Sequence, residues 1–150
     1  MVIQGSTREF TPVSAGAHKA VLVDVVDLGI ETTEYDGQKK DAPKLRLMFE
    51  VDEKTDDGRP MVIGRKLTAS IHERSNLTKV LQTWLGRSLT TDERNRLDLD
   101  EFIGTSAEVM VIHKVDEKDG RVWARIDGIY PAKEKLAPSG EYVRVKDRPE

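Results

Sequence analysis

The sequence predicts an all-β domain of five short strands with one main helix, placed between the third and fourth strands. Three observations carry that expectation. Lys44 to Val51 alternates apolar with polar residues, the period-two signature of a strand with one face in a core. Leu77, Val80, Leu81, Trp84 and Leu85 recur at helical spacing and form one apolar stripe. Arg121 to Ile126 alternates again, with Val122, Ala124 and Ile126 on one side and Arg121, Trp123 and Arg125 on the other.

Taken in chain order, residues 1–11 read as an arm, followed by a turn at Pro12 to Gly16. His18 to Leu28 is rich in β-branched residues and makes the first strand, which Gly29 is expected to break. Glu31 to Pro43 is polar and carries the turn pair Asp36-Gly37, so it reads as a loop. In the second strand Leu45, Leu47, Phe49 and Val51 should face inward, and Lys44, Arg46, Met48 and Glu50 outward. Asp56-Asp57-Gly58 turns the chain into a third strand over about Pro60 to Ile71, antiparallel to the second. Ser75 is the expected N-cap of the helix and Gly86 its end. Thr90 to Glu93 resembles a capping box that opens a further short helical turn, with Leu97, Leu99, Phe102 and Ile103 as buried anchors beyond it. Strand four covers about Ser106 to Lys114, and the turn Asp116 to Gly120 leads into strand five, Arg121 to about Tyr130. After Pro131 the pattern fades. The expected organisation is one domain over 1–133 and a flexible C-terminal tail over 134–150.

At 150 residues the chain is long enough to bury a substantial core, and 37% of it is hydrophobic against 34% charged. No apolar run approaches the roughly 20 residues that span a bilayer. The first residues lack the order of a signal peptide, so a cytoplasmic location is expected. With no cysteine there is no disulfide and no thiolate metal site. The net charge of −3 means that an anionic partner must be met by a local basic patch.

Catalytic candidates are thin. His18, His72 and His113 lie on or beside different strands, and none has a second ligand at metal-binding spacing. Asp52, Glu53, Asp56 and Asp57 lack the spacing of a calcium loop, and no glycine motif cradles phosphate. The pairs Gly64-Arg65 and Gly86-Arg87 carry nothing by themselves. The expectation is a non-catalytic protein without metal or cofactor.

Three strands, a helix and two strands is the order of an oligonucleotide/oligosaccharide-binding (OB) barrel, whose helix plugs one end. Its ligands bind across strands two and three and the loops 1–2 and 4–5. A generic α+β packing shares that order. On the OB reading one outward surface collects Lys44, Arg46, Lys66, Arg121, Trp123 and Arg125, loop 1–2 adds Tyr35, Lys39 and Lys40, and loop 4–5 adds Lys114. Guanidinium groups pair with phosphates and aromatic rings stack on bases, which suits single-stranded nucleic acid. The plainer alternative is a Trp123 that covers a neighbouring strand, with solvated charges around it. Trp84, on the apolar stripe, belongs to the core.

Ser70 to Leu77, followed by Leu81 to Arg87, resembles a family of small bacteriophage and prophage OB-fold single-stranded-DNA-binding proteins. Phe10 to Gly16, Val25 to Gly29, Phe102 to Gly104 and His113 to Ile126 match as well, so the resemblance covers roughly 10–131. It implies single-stranded-DNA binding in phage replication or recombination, with phage or host replication proteins as further partners. An OB-fold protein-interaction module and a non-catalytic accessory subunit of a phage complex are the alternatives. Pairing of copies through an exposed strand edge is left open. Two departures stand out: position 123 is Trp where relatives more often carry Tyr, and the chain ends in mixed charge rather than an acidic tail.

Overall fold

The β-branched run that starts at His18 forms a strand much longer than expected. In the computed structural model, which describes residues 11–149, β1 spans Gly16–Tyr35. Gly29 does not end it. At φ 72° this glycine sits in a bulge, where the register slips between Asp27 and Gly29 and the Asp27 carboxylate accepts from the Gly29 amide at 2.8 Å. Beyond it, Asp36 and Gly37 both take positive φ (55° and 79°) and close a two-residue hairpin into β2, Gln38–Lys54. The expected loop 31–43 is therefore a strand hairpin, because a turn of this hand matches the twist of the strands it joins.

The remaining strands are β3 (Pro60–Thr68), β4 (Ser106–Val115) and β5 (Val122–Pro131). All pairings are antiparallel, in the order β3-β2-β1-β4-β5. β3 stops short of Ile71 because the chain turns at its end, where the Ser70 amide donates to the Thr68 carbonyl at 2.9 Å. The two edge strands, β3 and β5, touch without a hydrogen-bonded ladder between them. The expected all-β class with five strands is present, and the sheet is curled but not closed into a barrel. At that seam Asp127 is an extra residue in β5, since Val111 pairs with Ile126 and Met110 with Gly128. A bulge there interrupts the regular edge that a closing ladder requires.

The core follows the alternation. Leu45, Leu47, Phe49 and Val51 from β2 are buried with Ile63, Leu67, Val109, Val111, Ile126 and Ile129. The helix α1, Asn76–Leu85, lays its stripe over this core against β3 and β5. Ser75 accepts from the Thr78 amide at 3.1 Å, and Gly86 ends the helix in the left-handed region at φ 74°. Trp84 is 2% exposed; its ring meets Phe49 edge-on at 5.5 Å and its Nε1–H donates to the Ser106 carbonyl at 2.9 Å. Thr90 and Glu93 form the expected capping box of the short helix α2, Thr91–Asn95. Leu97, Leu99, Phe102 and Ile103 pack on the core but remain partly exposed.

The segment expected to be a flexible tail lies against the sheet. Ser139 donates to the Glu50 carboxylate through its amide (2.9 Å) and its hydroxyl (2.6 Å). Glu50 does face outward, as the alternation requires, but this segment buries it to 3% exposure. On the same face Asp24, 1% exposed, accepts from the Tyr142 hydroxyl, Arg144 Nε and the Val145 amide, each at 2.9 Å. Arg144 also pairs with Asp100 at 3.2 Å. Burial alone would raise the Asp24 carboxyl, but its three donors hold it below the ordinary aspartate value. Burial and the adjoining Asp24 push the Tyr142 hydroxyl up to about 12. The arm expected over 1–11 falls, apart from Thr11, outside the described residues.

Trp84→Ala is expected to cost about 3–5 kcal/mol of unfolding free energy, read from urea titration. Asp24→Asn is expected to cost about 1–3 kcal/mol near neutral pH and to speed proteolysis within 134–149. Because Asp24 is depressed on folding, its contribution is present above the unfolded aspartate pKa of ~3.9 and fades as pH falls through the lower folded value. Melting temperatures of the two proteins should therefore converge below about pH 4.

Candidate nucleic-acid interface

On β5 the side chains alternate as expected over Ala124 to Ile126. Ile126 is buried, Ala124 half-buried, and Arg125 exposed. Trp123 faces outward at 45% exposure, opposite Lys114 on β4. Val122, expected inward, is exposed instead, because it pairs with Val115 at a hairpin end that runs past the core. Arg121 sits just before the strand; its amide donates to Asp119 at 2.8 Å and its guanidinium lies 3.9 Å from the same carboxylate. Asp116 accepts from the Lys118 amide at 2.8 Å, so the acids of this turn shape its backbone. Lys114, Arg121, Trp123 and Arg125 thus form one group on the β4–β5 hairpin: an exposed indole among three cations.

A second group lies on β2 and β3. Arg46 and Lys66 are cross-strand partners, both exposed, and like charges placed directly opposite one another repel. Arg46 and Met48 lie across Gly64: a Cβ there would come within 2.8 Å of Arg46 Cδ and 2.5 Å of Met48 Sδ. Glycine lets these two flexible side chains lie flat across β3. Lys66 pairs with Glu31, which partly neutralises it. Lys44 is half-buried and its Nζ donates to the Thr68 hydroxyl at 2.6 Å, so it is a cross-strand tie more than a free cation. Lys39 and Lys40 stand in β2 opposite Glu34 and Thr33, carried on the long hairpin rather than on a loop. Tyr35 ends β1, and its side chain lies outside those described.

A further cation on β3 is Arg65. Its alternation places it inward on β3, paired with Leu47 and flanked by Ile63 and Leu67. At the seam, however, its guanidinium opens into a cleft shared with β5 and α1. Burial first, and then the neighbouring Arg125 charge, pull the Arg65 guanidinium down, while Asp127 and Tyr130 partly offset this. Sequence reasoning passed over Arg65, although an arginine in the inward phase of a strand was the available signal.

No family model matches the chain, and no curated protein matches it.

The histidines are each held structurally. His18 bridges Asp52 (3.0 Å) and the Ser14 carbonyl (2.7 Å), His72 accepts from the Arg74 amide at 3.1 Å, and His113 donates to the Val13 carbonyl at 2.7 Å. Among the described residues no group of three or more His, Asp or Glu is arranged to hold a metal ion. No helix among them is long and apolar enough to cross a membrane.

Proposed function

We propose that the protein binds single-stranded DNA without reading its sequence, as an OB-type protein of phage replication or recombination. The observation that carries this reading is Trp123: a large indole left nearly half exposed, with Arg125, Arg121 and Lys114 around it. A base stacked on such a ring gains ~1–3 kcal/mol, and every base offers a face for it. Arg46 and Lys66 supply a second basic patch for the phosphate backbone. The strand order, the helix after the third strand and the approach of β3 to β5 support the OB-type reading. So does the resemblance in Ser70 to Leu77 and Leu81 to Arg87. On this reading the protein acts stoichiometrically and has no catalytic step. Phage or host replication proteins are its further partners.

A second reading has one observation in its favour. Val115 and Val122 are exposed beside Trp123, and a protein partner would cover all three.

Titration with oligo-dT, followed by tryptophan emission and by anisotropy of a labelled strand, separates the two. Binding should weaken with salt, because each neutralised phosphate releases counterions. Trp123→Ala should cost about tenfold or more in affinity and remove the emission change, and Arg125→Ala should weaken binding and flatten the salt dependence. An absence of binding at low salt would overturn the proposal and favour the protein partner.

A further inference from the structure

The seam between β3 and β5 holds a feature that a stacking surface does not need. A cleft of about 260 Å³ opens between these strands and α1, lined by Arg65, Lys79, Asn76, Asp127 and Tyr130 among others. Arg125 stands close enough for its charge to act on Arg65. Neither arginine, nor Lys79, forms an ion pair with a described residue. Asp127 lines the same cleft without pairing with Arg65. Like charges held together in a half-buried site repel each other, and an anion with several oxygens relieves that repulsion. A water's share of liquid volume is about 30 Å³, so the cleft has room for a phosphate.

We infer that this cleft takes a phosphate group, held by Arg65 and Lys79, the two cations that line it. On the nucleic-acid reading proposed above, on which this assignment rests, the phosphate belongs to the bound strand. The strand then crosses the seam from the Arg46–Lys66 patch to Trp123, and the open edge between β3 and β5 is part of its path. Guanidinium forks suit a tetrahedral anion, and the Lys79 ammonium adds a point charge.

Oligo-dT titrations over a range of salt, with inorganic phosphate titrations beside them, test this on the full chain. Arg65→Met keeps the apolar stem and removes the fork. It should flatten the slope of log affinity against log salt by about 0.7, as for one lost single-strand phosphate contact. Affinity at low salt should fall about tenfold. Arg96→Ala removes the same charge from the end of α2 and should leave the slope unchanged. In the second arm, inorganic phosphate should shift the Arg65 Nε–Hε resonance of the wild-type protein, and Lys79→Met should weaken that shift at least severalfold. A shift without any change of slope in Arg65→Met assigns the cleft to free phosphate and overturns the strand path. No shift at millimolar phosphate, together with an unchanged slope, overturns the cleft while the nucleic-acid reading stands. If the wild-type protein binds no oligonucleotide, that reading fails, and the wild-type phosphate arm decides the cleft by itself. That arm also decides it if Arg65→Met does not fold.

Discussion

The structure depends on β1 being paired on both sides at once. At Ala20 and Val21 it pairs with Val51 and Glu50 of β2 on one side and with Ala107 and Ser106 of β4 on the other. A shift of one residue there would turn every inward side chain of a neighbouring strand outward. Ala20 and Leu22 are fully buried on the core face, which pins the phase. From β1 the register passes to β4, and from β4 to β5, where the bulge at Asp127 resets the alternation. Trp123 lies ahead of that bulge and in phase with Lys114, so its exposure follows from pairings that begin about a hundred residues earlier in the chain.

The outward faces are unlike one another as a consequence. Over the middle of β1 and β2 the C-terminal segment covers the sheet, neutralising Asp24 and Glu50 with hydroxyl, amide and guanidinium donors. A buried acid needs its oxygens satisfied: Asp24 is ion-paired with Arg144 and hydrogen-bonded, and Glu50 accepts from the Ser139 amide and hydroxyl. Further along β2, and across β3 and β5, no other described segment covers the sheet in this way, and the cations Arg46, Lys66 and Arg125 are exposed among the described residues. Acidic residues therefore sit under the segment while a basic surface faces outward. This is how a chain with net charge −3 presents a local positive patch.

What was legible in the sequence was local. The alternation in Lys44 to Val51, the helical stripe ending at Leu85, the caps Ser75 and Thr90 and the turn Asp36-Gly37 each have a cause within a few residues, and each appears in the structure. Gly29 was misread because a glycine that breaks an isolated strand can instead sit in a bulge when a partner strand supplies the pairing. Glu50 reads as an outward acid, and nothing near it or near Asp24 in the sequence marks either as buried, since their partners lie 89 and about 120 residues away. Arg65 was missed for the same reason: its neighbour Arg125 becomes visible only once the sheet curls. Of the basic residues singled out, Lys114, Arg121 and Arg125 gather around Trp123. Lys44 is tied to Thr68, and Lys39 and Lys40 lie on a separate hairpin.

On the proposed function, a single strand lies on the outward face of β5. Photo-crosslinking reads that contact directly. A single-stranded oligo-dT carrying bromodeoxyuridine is bound, irradiated and digested, and the modified peptide is sequenced. The account predicts the principal crosslink at Trp123. A crosslink confined to the C-terminal segment over β1 and β2, for example at Tyr142, would contradict it.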